Sequence, residues 1–490
     1  VTSVRRALAY SFLERYLLVL LALSSTMILA RLLTPEQIGL YSVTLAVIGI
    51  AHVLRDFGVG NYLIQEQNLT EAHVRTAFGL SLIVGAVLFG ALVLAAPFIA
   101  RFYEQPSMTA LMRVVALNFL VLPFCTVSLA LLRREMQFQR LLYVNVAATV
   151  LGFMVTVGLA YLGWGPMSMA VGAVASNAAT GLGAWLARPE RRVLMPELSQ
   201  WRSVLGFGGQ NVAASLVTTV SMDINDLAIG KIMGFAPVAI LSRAQGLMNL
   251  FHRDVMTAIR NVAYPAFAQA HRDGQAVDRQ HSTSVAAVTA CAWPFYGFLA
   301  LFPLEIIRLM FGDQWDAAVP LVPIFCLAGA VAALSNLVFP LVIAVGRIDL
   351  VTKAELLFQP TRAALIVAAA VVYESLLAVA LAYMVSWFLL TPLAYHVKHK
   401  CLPTELPAWL AGVRRSAGVT LLCLLLPAAL SLQAGVMRSQ PLPWHLWLLA
   451  ALACAVAWVA AVAWTRHPLA TEPAFLRAFG RLPGVARGHS

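Results

Sequence analysis

Charge is scarce in this chain. Asp, Glu, Lys and Arg make up 11% of its 490 residues, against 60% hydrophobic residues. A soluble domain must face water and cannot hide that much apolar surface. The apolar residues run in blocks of about 20, the length a helix needs to cross ~30 Å of hydrocarbon. Stripes of roughly 10–14 residues with a polar face, which would mark a soluble helical core, are missing. No Walker A, H-E-x-x-H or G-x-S-x-G pattern occurs, so nothing points to ATP hydrolysis, zinc or a serine nucleophile. Phe207-Gly208-Gly209 lacks the spacing and the preceding strand of a phosphate loop, and close helix packing accounts for it better. The six cysteines include no C-x-x-C pair; five lie in apolar blocks and Cys401 in a basic loop, as small buried hydrophobes do. No metal, cofactor or catalytic residue is expected.

What is present fits a polytopic all-α membrane protein. Fourteen spans are predicted, at 16–33, 37–56, 76–100, 109–131, 142–162, 166–187, 203–223, 236–256, 283–303, 318–345, 353–372, 375–396, 415–433 and 443–465. The first block follows Arg5, Arg6 and Arg15 and ends at no small-residue cleavage site, so it is expected to be a retained span and not a signal peptide. Thr34-Pro35-Glu36-Gln37 predicts a tight hairpin between the first two helices, with threonine as cap, proline at the first helical position and Gln37 closing a capping box. The net charge of +12 sits in short turns without interleaved aromatics, which argues against nucleic acid. Most of the 34 basic residues fall on the side of the N-terminus; the opposite side holds Arg31, Arg101, Lys231, Arg308 and Arg438. By the positive-inside rule both termini are expected in the cytoplasm. No outer loop exceeds about 15 residues by this span assignment, which disfavours a membrane glycosyltransferase or polymerase.

The chain also repeats itself at an offset of about 200 residues. Ala30-Arg31-Leu32-Leu33 aligns with Gly230-Lys231-Ile232-Met233, and without a gap Ser42 falls on Ser242 and His52 on His252. Six helices precede the second copy, so the copies share one orientation, as parallel transporter repeats do. The expected organisation is a six-helix bundle at 1–187, a basic linker at 188–202, a second six-helix bundle at 203–396, and two extra helices with a tail at 397–490.

Several segments resemble a known family. They are Leu33-Thr34-Pro35-Glu36-Gln37-Ile38-Gly39-Leu40, Arg55-Asp56-Phe57-Gly58-Val59-Gly60, Leu63-Ile64-Gln65, Ala130-Leu131-Leu132-Arg133-Arg134-Glu135-Met136-Gln137-Phe138, Leu241-Ser242-Arg243-Ala244, and Phe311-Gly312-Asp313-Gln314-Trp315 with Ala318-Val319-Pro320. These are similar to the Wzx-like polysaccharide exporters of the multidrug/oligosaccharidyl-lipid/polysaccharide superfamily, closest to colanic-acid and exopolysaccharide exporters. The resemblance covers about residues 10 to 400. It implies two pseudo-symmetric six-helix bundles in a V shape, with a cavity between them lined by helices one, two, seven and eight. It implies a cargo of oligosaccharide on undecaprenyl pyrophosphate, with membrane lipids, and a polysaccharide polymerase and co-polymerase, as further partners. A small-molecule antiporter of the same superfamily and a peptidoglycan-precursor flippase remain alternatives.

Polar residues inside the spans mark the expected cavity, because such groups normally face protein or water. Helical spacing puts Tyr41, Thr44, His52 and Arg55 on one face of helix two, and Asn211 and Ser215 on one face of helix seven. It puts Gln245, Asn249 and His252 on one face of helix eight, with Arg243 on the far side. In helix eleven Glu355, Gln359 and Arg362 align. Interhelical hydrogen bonding is the alternative role for each of these groups. Arg243 and Arg362 are the candidate pyrophosphate ligands, since a guanidinium gives a permanent charge and a bidentate fork. Arg31 and Arg55 lie nearer the membrane faces. Asp56, Asp223, Asp226, Glu355 and His252 are candidates for proton or sodium coupling.

Overall fold

The computed structural model describes residues 2–55, 58–188, 195–433, 440–471 and 475, without the side chains of 2–9, 11–12 and 205–218. Its regular elements are all helical, and the chain groups into two compact units, 1–239 and 240–490. Twelve stretches among the described residues are long and apolar enough to span a membrane. The two further predicted spans are also helical. The chain is a multi-pass membrane protein.

Unit 1 contains α1 (Thr2–Leu32), α2 (Pro35–Arg55), α3 (Val59–Gln65), α4 (Glu71–Phe102), α5 (Ser107–Ala116), α6 (Asn118–Arg134), α7 (Phe138–Tyr161), α8 (Pro166–Ala187) and α9 (Trp201–Ile232). The predicted capping box forms at the first hairpin: Gln37 N donates to Thr34 Oγ1 (3.3 Å) and Thr34 N to Gln37 Oε1 (3.1 Å). The turn into α8 uses Gly163 and Gly165, both at positive φ (82° and 55°), ahead of Pro166 at the helix start. Small residues let α7 and α8 approach closely, and a side chain on Gly152 would strike Ser176 Cβ at 2.5 Å. Two of the segments quoted above meet at α3. Arg134, at the end of α6, donates through Nη1 to the carbonyls of Leu63 (2.9 Å), Ile64 (3.2 Å) and Glu66 (2.6 Å). A cation there satisfies carbonyls that the end of α3 leaves without intrahelical donors.

The helix α9 belongs with unit 1 by its packing, although the repeat groups it with the second bundle. It lies along α2, and the stretch before it docks on α4, where Gln200 N donates to Thr76 Oγ1 (3.3 Å) and Glu197 N to the Arg75 carbonyl (3.3 Å).

The chain passes into unit 2 within α10 (Phe235–Asn249), which runs through a π-helical turn at Leu250–Val255 into α11 (Met256–Arg272). The span pattern predicts a loop over 257–282, yet the helix continues to Arg272, because Ile259, Val262, Ala263, Ala266 and Phe267 recur at helical spacing. The unit continues with α12 (Val277–Leu301), α13 (Pro303–Met310), α14 (Val322–Ser335), α15 (Val338–Ala344), α16 (Ile348–Tyr373), α17 (Leu376–His399), α18 (Leu406–Gln433) and α19 (Trp444–Trp464). The predicted tenth span is broken between α14 and α15, and Tyr395 of α17 donates to the Leu334 carbonyl (2.8 Å) near the break. The buried helix α12 joins the two extra helices to the unit: Thr289 Oγ1 lies 2.9 Å from Ser416 Oγ, and Trp458 Nε1 donates to the Ala290 carbonyl (2.8 Å). At its start, Asp278 takes a hydrogen bond from the fully buried Lys398 ammonium and another from Glu405 N (2.9 Å), just ahead of α18.

Candidate functional site

In unit 1 the polar face of α2 divides. Tyr41 and Thr44 are buried in protein, and the Thr44 hydroxyl donates back to the Leu40 carbonyl (2.8 Å). His52 is partly exposed, its ring 4.8 Å from that of Phe119, and Arg55 is partly buried at the end of the helix. Arg31 is exposed at the end of α1. Asp56 lies outside the described residues, as do the side chains of Asn211 and Ser215. Asp223 sits against Gly49 of α2, and Asp226 follows one turn on; both are partly buried.

A set of polar contacts in unit 1 joins α2 and the end of α4 to the stretch 227–236. Lys231 pairs with Glu104 (2.8 Å) and lies over the Phe102 ring (5.2 Å). The lysine holds the Glu104 carboxyl below its ordinary pKa, by hydrogen bond and by charge. Tyr103 donates to the Leu227 carbonyl (3.1 Å), and Glu36 accepts from the backbone of Ala236 (3.0 Å), a carboxylate capping the start of α10. Ala236 is the residue that the repeat aligns with Glu36, so the two copies of the hairpin touch at equivalent positions. Glycines make this approach possible. A side chain on Gly39 would overlap the Phe235 carbonyl, and one on Gly230 would reach Val43 Cγ2 at 2.6 Å.

In unit 2 the structure separates the two candidate arginines. The Arg243 guanidinium lies over the rings of Phe311 (5.3 Å) and Trp315 (4.9 Å). Its position on the far side of the α10 polar stripe is therefore explained by packing, and so is its pairing with the Phe311–Trp315 segment. Beside that segment Arg308 binds Asp316 in bidentate fashion (2.9 and 2.5 Å). Gln245 and Asn249 are partly buried on the opposite face.

Arg362 is 7% exposed and has neither a hydrogen-bond partner nor an ion pair among the described residues; its guanidinium carbon lies 5.6 Å from the Phe358 ring. Glu355, one of its possible partners, instead accepts from Gln359 Nε2 (2.6 Å). Phe358 links Arg362 to a cluster of rings in unit 2. His252, in the π-helical turn, lies 3.4 Å from Asn336 Nδ2 and packs edge-on to Trp387, centroids 4.8 Å apart. Trp387 in turn meets Phe358 (6.2 Å). Arg260, from the stretch expected to be a loop, donates to Thr257 Oγ1 (3.3 Å). No cluster of metal-ligating side chains occurs among the described residues.

A multi-pass helical membrane protein whose buried polar and cationic groups lie within its long helices has the architecture of a transporter. Solved structures share the fold. The chain is similar to "Lipid II flippase MurJ, inward closed conformation", with a TM-score of 0.73 at 11% identity, over 94% of this chain and 98% of that one. It is also similar to an inward-facing multidrug resistance transporter of the MOP superfamily, with a TM-score of 0.59 at 16% identity, over 81% and 94%. The model of a polysaccharide biosynthesis protein family matches residues 28–320, and the chain belongs to that family. Among its relatives are the lipopolysaccharide biosynthesis protein WzxC of Escherichia coli (strain K12), 24% identical over 70% of each chain, and the succinoglycan biosynthesis transport protein ExoT of Rhizobium meliloti (strain 1021), 25% identical over 65% of each.

Proposed function

We propose that the protein is a flippase that carries an undecaprenyl-pyrophosphate-linked oligosaccharide across the bacterial inner membrane for polysaccharide assembly, with both termini in the cytoplasm. The family match over residues 28–320, on a chain with the fold of membrane transporters, carries this reading. The chemistry is transport and not catalysis. Sugar and pyrophosphate enter the polar interior while the prenyl chain stays in lipid. Within unit 1 the cargo-facing groups are His52, Arg55, Asn211 and Ser215, with Arg31 at the end of α1. Within unit 2 they are Gln245, Asn249, His252 and Arg362, while Arg243 holds the Phe311–Trp315 segment in place. The contacts of α2 and the end of α4 with the stretch 227–236, Glu36–Ala236 and Lys231–Glu104 among them, close the outer side and separate when the cargo leaves.

An inside-negative potential favours outward movement of anions by about 2.3 kcal/mol per charge per 100 mV. For a doubly charged diphosphate that is ~4–5 kcal/mol at 100 mV, enough to bias transport without ATP. Coupling to protons or sodium through Asp56, Asp223, Asp226 or Glu355 would add to it. A polysaccharide polymerase and co-polymerase would take up the product. The test is reconstitution in liposomes with a defined lipid-linked oligosaccharide: translocation that rises with an imposed inside-negative potential is expected. Absence of translocation by folded, correctly oriented protein would overturn the proposal.

A further inference from the structure

The turn that follows α3 is held more firmly than a connection between two helices requires. Val59, Tyr62 and Leu63 of α3 pack in one buried cluster with Val74, Ala77 and Phe78 of α4, Val127 and Ala130 of α6, and Val204 of α9. The chain leaves the helix at Glu66, and there Arg134 Nη1 reaches the carbonyls of Leu63, Ile64 and Glu66. Asn68 N then donates to Glu66 Oε1 (3.2 Å), and Thr70 and His73 close a capping box at the start of α4. The Tyr62 hydroxyl lies 3.1 Å from Ser203 Oγ, which ties the turn to α9 as well. The backbone is thus fixed on both sides of Gln65–Asn68, in a segment that carries two of the stretches resembling the exporters.

These contacts frame a cleft of about 370 Å³, lined by Tyr62, Gln65, Glu66, Gln67 and Asn68. Small-molecule sites run from roughly 300 to 1,000 Å³ and are mostly apolar. This one has the size but not the apolar walls, since three carboxamides and a carboxylate stand against one aromatic ring. Gln65, Gln67 and Asn68 are exposed, and their side chains make no hydrogen bond among the described residues. A carboxamide both donates and accepts, as a hydroxyl group does, and a carboxylate adds further acceptors. The set therefore complements a ligand that presents several hydroxyl groups. An anion fits poorly: no Lys or Arg lines the cleft, and Arg134 beside it is engaged by three carbonyls. One carboxylate is too few for a hard metal ion, which takes about six oxygen ligands.

We infer that the cleft is a carbohydrate subsite, in which Gln65, Glu66, Gln67 and Asn68 bind a neutral sugar residue and help to select the glycan. That the sugar belongs to the cargo rests on the flippase proposal. On that reading the turn lies on the cytoplasmic side, where the cargo is loaded, and the subsite is separate from the groups that face the cargo along the helices. A free glycan and a lipid-linked one offer the same hydroxyl groups, so the test separates them.

The test is equilibrium binding to the full chain in lipid nanodiscs with three probes. They are the repeat-unit oligosaccharide released from the polysaccharide of the cells that make this protein, the same oligosaccharide on undecaprenyl diphosphate, and undecaprenyl diphosphate alone. Gln65→Ala, Gln67→Ala and Asn68→Ala together remove the three amides. They are expected to weaken binding of the lipid-linked oligosaccharide at least fivefold and to leave undecaprenyl diphosphate within twofold of wild type. Their side chains are exposed and unbonded, so the melting temperature should not change. If it falls, Gln67→Glu, which keeps the size and loses both amide donors, is read by the same measure. Loss of the released oligosaccharide as well would show that the glycan suffices, and loss of the lipid-linked form alone would show that the lipid anchors it there; either result supports the subsite. Failure of wild type to bind either glycan would overturn it. So would lipid-linked oligosaccharide binding within twofold of wild type in the variants, or an equal loss of undecaprenyl diphosphate. Glycan binding that the variants weaken, with no translocation in liposomes, would overturn the flippase proposal and leave the subsite standing.

Discussion

Gly39 offers the sharpest perturbation of the proposed transport cycle. Its Cα faces the Phe235 carbonyl so closely that an added Cβ would overlap backbone atoms. Those atoms have no rotamer to escape into, so Gly39→Ala must force α2 away from the start of α10. Overpacking of this kind costs about 1–3 kcal/mol, and a backbone clash belongs at the upper end. At about 3 kcal/mol the ratio of closed to separated forms falls roughly 10²-fold. Gly230→Ala is the graded control. Its Cβ would meet Val43 Cγ2 at 2.6 Å, a side-chain atom that can turn aside, so about 1 kcal/mol and a fivefold change are expected. Ile229, 3% exposed on α9, is the reporter. As Ile229→Cys in a cysteine-free background it should react slowly with an impermeant maleimide from outside, faster in Gly230→Ala and much faster in Gly39→Ala. If the contact is fixed and does not open in the cycle, Gly39→Ala will instead lower melting temperature and abundance with no gain in labelling. That result would refute the moving contact.

Other predictions concern stability. Asp278→Asn strands the fully buried Lys398 and should cost about 3–5 kcal/mol, read as a lower melting temperature in detergent; Asp278→Asn with Lys398→Met should recover most of it. His467, fully buried beside Ser416 (3.1 Å), has its pKa pushed down to about 4, first by burial and then by Arg415. A depressed histidine means that the fold favours neutral imidazole. Its contribution is whole above the unfolded value of about 6.5 and is lost as pH falls toward 4. The protection factors of the amides of residues 469–471, with the intrinsic pH dependence of exchange divided out, should therefore fall between pH 7 and pH 5, and His467→Phe should remove that fall.

The parts of this fold that depend on local chemistry are legible in the sequence. The Thr34–Gln37 capping box needs only four residues, and it forms as its sequence predicts. The repeat is visible because rare polar residues recur at one spacing, and the Glu36–Ala236 bond joins residues that this spacing equates. Pairing across distance is not legible in the same way. Nothing in the pattern links Lys398 to Asp278, or Arg134 to the carbonyls of α3. Arg260 is hidden for another reason. The stretch after the eighth span is too polar to read as membrane, so its helix resembles a loop. The moderate periodicity of Ile259, Val262, Ala263, Ala266 and Phe267 is the signal that reveals it.

The same distinction decides between the two intramembrane arginines, which sequence alone ranks almost equally. Arg243 already has its complement in the faces of Phe311 and Trp315. Cation–π contacts are worth up to about 2 kcal/mol where water is excluded. Arg243→Met should therefore destabilise the protein by about 1–2 kcal/mol and change diphosphate binding little. Arg362 faces one ring, Phe358 (5.6 Å), and like Arg243 keeps a buried Nε without a hydrogen-bond partner among the described residues, so its desolvation is less relieved. Replacing it with a methionine of similar length removes that cost, and buried charges exchanged for apolar groups often leave stability unchanged or higher. Arg362→Met is expected to melt at or above the wild-type temperature while losing diphosphate binding. Such opposition between stability and function is the mark of a group retained for its ligand. Should Arg362→Met instead melt well below wild type, with Arg243→Met unchanged, the assignment of the two roles would have to be reversed.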